Sequence, residues 1–120
     1  MKSVFLIVLF ANIAFSSSLF AKKLLMIVVE KEQCAWCTKM EKEILSDTKV
    51  LAKLNERYYV VKIKIESGNL PSFVHVKYFP TTFVYSPDGT ELIDSLIGYR
   101  TKEKFLKFFD TDYEMDDNIL

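Results

Sequence analysis

The chain has 120 residues, half of them apolar, and its sixteen basic side chains cancel sixteen acidic ones. That suffices for one domain with a real core and hardly for two. A balanced charge without a long basic run lacks the electrostatic footprint of a nucleic-acid binder, so no nucleic-acid partner is expected, and the chain is read as a monomer.

The first twenty-one residues stand apart. Lys2 is their only charge, followed by the apolar run "VFLIVLFANIAF" and then "SSSLFA". A basic start, an apolar stretch of about a dozen residues and a small residue at the end describe a secretory signal. Cleavage is expected after Ala21, although Leu19 is less suited to the minus-three position than a small residue. An uncleaved membrane anchor is the alternative, but Asn12 and three serines interrupt the run, and a span needs ~20 apolar residues. No cysteine follows the run, which argues against a lipoprotein anchor. The expected division is residues 1–21 as signal, 22–110 as one domain and 111–120 as an acidic, solvated tail.

From Lys22 onward no repeat or Pro/Gly-rich linker breaks the chain. "LLMIVV" (24–29) is a continuous apolar run of strand length, as in a strand buried on both faces. A helical pattern then passes through the cysteines, with Cys37, Met40 and Ile44 on one stripe. Ser46 and Asp47 can cap a further short helix carrying Val50, Leu51 and Leu54. "YYVVKIKI" (58–65) predicts a strand, its end alternating Ile63 and Ile65 with Lys62 and Lys64 to give one wetter face. Gly68 breaks it.

"LPSFVHVKYF" (70–79) predicts a short helix with Pro71 in its first turn, leading to Pro80. "TTFVY" is a strand, "SPDG" a turn and "TELIDSLIG" the returning strand. "TKEKFLKFF" predicts a closing amphipathic helix capped by Thr101, with Phe105, Leu106, Phe108 and Phe109 on its apolar face. The order β-α-(α)-β-α-β-β-α implies an α/β fold. Its first two strands run parallel, its last two form a hairpin, and helices flank a mixed four-stranded sheet.

Both cysteines fall in "EQCAWCTKM" (32–40). A zinc site wants four ligands, and beyond the pair the chain offers only His75 as a nitrogen or sulfur donor, so no metal is expected. Haem attachment needs His after the second cysteine, where Thr38 stands; no cofactor is expected. A structural staple across so short a loop removes little unfolded-state entropy.

Redox exchange has a positive argument. Cys34 falls where strand turns into helix, so free N–H groups and the helix dipole favour its thiolate, the attacking species. Cys37, one turn later, is drawn toward the core. Cys34 attacks a partner's disulfide; Cys37 then attacks Cys34 and releases the partner.

With these cysteines, the strand before them and "YFPTTFVYSPDGTELIDSLIGYR" after them, residues 24–109 resemble the thioredoxin-like family. "CAWCTKMEKEILSDTKVLAKLNERYYVVKIKIES" further resembles its exported bacterial members, the SoxW type and the periplasmic thioredoxin-like domain of DsbD. The resemblance implies a thioredoxin-like fold with a redox-active disulfide between Cys34 and Cys37. It also implies a cis Pro80 across from that disulfide, with Phe79 and Thr81 beside it as substrate-binding positions. Proline lacks an N–H, which leaves the backbone at residue 79 free to pair with an extended client. Trp36, between the cysteines, is read as a surface contact platform or as packed against the helix.

The implied setting is the periplasm. The implied partners are client proteins with disulfides or thiols, and a membrane electron-transfer partner. The implied activity is a thiol:disulfide oxidoreductase working as a reductase. Its rivals are an oxidase or isomerase, and a redox-inactive peptide-binding chaperone or adaptor.

The sequence departs from cytosolic thioredoxin in carrying Ala35-Trp36 instead of Gly-Pro, in having the expected signal segment where thioredoxin has an extra strand and helix, and in placing Val28 where relatives have a buried acid. Val28 and Glu30 share a strand face, so Glu30 can supply a carboxylate as proton acceptor. The preferred reading is plainer, a solvated residue at a strand's end. His75 is read as an ordinary surface or half-buried residue.

Overall fold

The computed structural model describes residues 23–109. The expected signal (1–21) and tail (111–120) lie outside the described residues.

Strand β1, Leu24–Glu30, takes an interior place in a four-stranded sheet ordered β2-β1-β3-β4, which its unbroken apolar run requires. Strand β2, Tyr58–Lys64, pairs parallel with it, from Leu24 opposite Tyr58 to Glu30 opposite Lys64. Strand β3, Thr81–Tyr85, runs antiparallel on the other side, with Val29 opposite Thr81. Strand β4, Leu92–Ile97, completes the hairpin, with a bulge at Val84/Tyr85. In the turn, the Gly89 N–H donates to the Ser86 carbonyl at 2.8 Å.

Helix α1, Ala35–Met40, continues into a π-helical turn, Glu41–Leu45. Helix α2, Thr48–Asn55, is capped by Asp47, whose Oδ1 accepts from the N–H groups of Lys49 at 2.9 Å and Val50 at 3.3 Å. Helix α3 is Lys102–Phe109, where the Phe105 N–H donates to the Thr101 carbonyl at 2.8 Å.

All three helices pack on one face of the sheet. Met40, Ile44, Leu45, Val50, Leu54, Phe105, Leu106 and Phe109 meet Met26, Val28, Tyr58, Val84 and Leu96 there. Burial of these side chains is the main force holding the layers together. The Tyr58 hydroxyl donates to the Phe109 carbonyl, fixing the end of α3.

The other face carries Ile27, Val29, Phe83 and Tyr85 under Val74, with Leu70, Val76 and Phe79 at its margin. No helix forms over 70–79, against expectation. After a turn in which the Val74 N–H donates to the Pro71 carbonyl, the chain runs irregularly to Pro80. Val74 and Val76 point inward while His75 and Lys77 are exposed, an alternation of period two that a helix cannot satisfy. Two further corrections concern single residues. Ile65 opens a 3-10 turn, Ile65–Ser67, instead of ending β2. Phe108 is 42% exposed, because the apolar stripe of α3 is narrower than four phenylalanine and leucine positions.

Candidate active site

Cys34 is the N-cap of α1 and is half-buried; Cys37 is 3% exposed, on the stripe with Met40 and Ile44. The two are joined as a disulfide, with Cα atoms 5.2 Å apart. The Cys37 N–H donates to Cys34 Sγ at 3.2 Å, an interaction that strengthens when the sulfur carries charge. The chain enters the helix through Gln33 at φ 52, a left-handed conformation uncommon outside glycine, which turns the chain sharply between β1 and Cys34.

The Phe79–Pro80 loop lies against the disulfide. Cys34 Sγ is 3.8 Å from the Phe79 carbonyl oxygen, and the Phe79–Pro80 bond is cis. The loop is held from behind, where the Gly98 N–H donates to the Pro80 carbonyl at 2.7 Å. Gly98 sits at φ 84, where a side chain would be strained. Thr81 is buried, and its hydroxyl donates to the Tyr78 carbonyl at 2.6 Å, which fixes the loop. Phe79 is half-buried, with the Lys31 ammonium 5.5 Å from its ring centre.

Trp36 is 56% exposed and stacks on Tyr99, ring centres 5.4 Å apart, with the Lys39 ammonium over both rings. It is a surface residue beside Cys34. The Tyr99 hydroxyl donates to Glu43, which pushes its pKa up to about 12 and keeps it neutral. His75 is exposed and lies in the irregular segment.

Glu30 is not solvated. It is 7% exposed, on the helix-facing side of β1 with Val28, and its Oε1 has no hydrogen-bond partner. Burial, reinforced by the neighbouring Glu41 charge, holds its carboxyl above the ordinary glutamate value, while Lys62 and Lys64 oppose the shift. Glu30, Cys37, Glu41 and Lys62 all line one cleft of about 620 Å3. Glu41 and Lys62 were not singled out from the sequence. The signal for Glu41 was its place four residues after Cys37, one turn along the same helical face.

Among the described residues no three His, Cys, Asp or Glu side chains are grouped to hold a metal ion. The arrangement can perform two-step exchange. A thiolate on Cys34 attacks from the exposed side. The shielded Cys37 stands one turn away to break the resulting mixed disulfide.

A family model for the thioredoxin-like domain matches residues 18–111. No curated protein matches by sequence. Among solved structures, a thioredoxin from Thermus thermophilus is similar at 28% identity and a TM-score of 0.61, covering 74% of this chain and 72% of that one. The reduced periplasmic thioredoxin SoxS from Paracoccus pantotrophus has 18% identity and a TM-score of 0.60, covering 74% and 94%. A thioredoxin-fold protein from Helicobacter pylori has 17% identity and a TM-score of 0.62, covering 80% and 76%. The last two likenesses concern the fold alone. With the matched domain spanning the whole sheet and its cysteine pair, the chain belongs to the thioredoxin-like domain family and is a thiol:disulfide oxidoreductase.

Proposed function

We propose that this oxidoreductase is exported and reduces disulfides of client proteins, with Cys34 as nucleophile and Cys37 as resolving thiol. The reading of export to the periplasm rests on the lone Lys2 and the apolar run that follows it. Among the described residues no helix is long and apolar enough to cross a membrane.

The direction of exchange rests on one observation. A strong oxidant needs its reduced form stabilised as a thiolate. Here Glu30 is the one acidic or basic side chain buried among the described residues, and it shares a cleft with Cys37. A buried carboxylate beside the pair disfavours a second negative charge, so it favours a dithiol that gives its electrons away. Glu30 is the proton acceptor for Cys37 in this scheme. Trp36 and the backbone at Phe79 and Pro80 form the surface on which a client segment rests, and a membrane electron-transfer partner would restore the dithiol.

Two measurements test this. The reduction potential of the full chain is expected near roughly −270 mV; a value near −120 mV would make it an oxidase. Cys37→Ser should accumulate a mixed disulfide on Cys34 in the periplasm. Absence of any trapped client, with the wild-type pair unreactive toward small disulfides, would instead indicate a peptide-binding adaptor.

A further inference from the structure

Two groups flank Cys34, and consecutive residues at the end of β4 hold both. The Phe79 carbonyl oxygen stands 3.8 Å from Cys34 Sγ, in the loop whose Pro80 carbonyl accepts from the Gly98 N–H at 2.7 Å. Trp36 follows two residues after Cys34, in the first turn of α1. Its indole stacks on Tyr99, with ring centres 5.4 Å apart and planes 26° from parallel. Gly98, at φ 84, turns the chain between these contacts, so that its own N–H serves the loop while its neighbour reaches the helix.

The stack is secured on several sides. Tyr99 is half-buried, and its hydroxyl donates to Glu43 in the π-helical turn. The Lys39 ammonium lies 5.5 Å from the indole centre and 5.0 Å from the phenol centre. Trp36 nevertheless keeps 56% of its surface in solvent. An indole recruited for stability would be covered. One that is stacked, braced through its partner and still open is set for contact with another molecule, because an aromatic already ordered loses little freedom on binding.

We propose that Tyr99 is a positioning residue that sets specificity for extended protein segments over small disulfides, acting through the Trp36 indole. This rests on the reading of Trp36 and the Phe79–Pro80 backbone as the client surface. A segment carrying a half-cystine lies along the Phe79 backbone and across the indole at once, so its affinity depends on the two being fixed relative to each other. Gly98 and Tyr99, joined by one peptide bond, fix that relation. A small disulfide needs only Cys34 Sγ and is indifferent to it. Glu43 and Lys39 act one step further back, by holding the phenol against the indole.

The test compares a protein disulfide with a small one on the full chain: insulin, turned over with dithiothreitol as reductant, and 5,5′-dithiobis(2-nitrobenzoate), mixed with the pre-reduced chain in stopped flow. Tyr99→Ala should raise KM for insulin about three- to tenfold, the range expected from losing one aromatic pair. The kcat and the small-disulfide rate should move by less than about twofold, the signature of lost binding and not of lost chemistry. Tyr99→Phe, which keeps the ring, should recover most of the wild-type KM. Trp36→Ala/Tyr99→Ala should be no worse than Trp36→Ala alone, since Tyr99 acts on the client only through the indole. Trp36 is the sole tryptophan, so its fluorescence anisotropy decay reports the indole directly. That decay should gain a fast component in Tyr99→Ala and not in Tyr99→Phe. Equal losses on both substrates, additive single variants, or an indole no more mobile in Tyr99→Ala overturn the inference. The two readings fail separately. An insulin KM indifferent to Trp36→Ala sinks the client surface, whereas one that responds to Trp36→Ala but not to Tyr99→Ala sinks only the positioning role.

Discussion

Glu30 contributes a pH-dependent term to stability whose sign follows from its surroundings. Its carboxyl titrates above the ordinary value because burial disfavours the charge. Its contribution is therefore fully present below the unfolded pKa and is lost as pH rises through the raised native one. Glu30→Gln, which stays neutral, should melt higher than the wild type at pH 8 and gain nothing at pH 3, as read by thermal unfolding monitored by circular dichroism. The alternation of β1 already placed Glu30 on the face of Val28. Its burial was not legible there, because exposure at a strand end depends on what packs across it, here Glu41 one turn beyond Cys37. Gln33 is illegible in the sequence for a related reason. The left-handed φ of 52 at Gln33, in the connection from β1 to Cys34, follows from no preference of glutamine.

Helix α2 illustrates how an element depends on a single side chain at its start. Asp47 caps it through two N–H groups, and its Oδ2 meets Lys102 Nζ at 3.1 Å, linking the start of α2 to that of α3. The Lys102 contact first, and the Val50 N–H next, hold the Asp47 carboxyl below its ordinary value. That stability is present above the unfolded pKa and lost as pH falls through the lowered native one. Asp47→Ala should therefore lower the melting temperature at pH 7, with the gap narrowing in acid. The cap was legible because Asp before a run bearing Val50 and Leu54 has one local use. Over 70–79 a helix is the expectation because Pro71 suits a first helical turn. The decisive pattern was shorter, the alternation of Val74 and Val76 with His75 and Lys77, which suits an extended chain laid over a sheet.

At the level of the whole molecule the sheet has two unequal coverings, three helices on one face and an irregular segment on the other. Phe105 sits at the centre of the helical layer at 1% exposure, while Phe108 on the same helix is 42% exposed. Phe105→Ala should cost ~3–5 kcal/mol in urea unfolding, a large part of a small domain's total, and Phe108→Ala within about 0.5 kcal/mol. Amide exchange should likewise be faster over residues 68–79, which lack ladder hydrogen bonds, than in β1. The strand order and the helical layer could be anticipated because both follow from periodicity summed over many residues. The cleft between β1, α1 and β2 could not, since it depends on side chains distant in sequence meeting at one end of the sheet.

The burial of Cys37 behind Cys34 also sets a direction of approach. Displacement at sulfur is collinear, with the incoming atom, the central atom and the departing one in a row. When Cys37 resolves the mixed disulfide it is the incoming atom and lies inward, so the departing client sulfur must sit on the outer side of Cys34, past the indole and the Phe79 carbonyl. A protein whose own bridge is recessed in a rigid surface cannot project it that far. Such a substrate should resist turnover until denatured, whereas the same bridge on a protruding or unfolded stretch should be cut at once, a contrast that gel-shift trapping of the two forms would reveal.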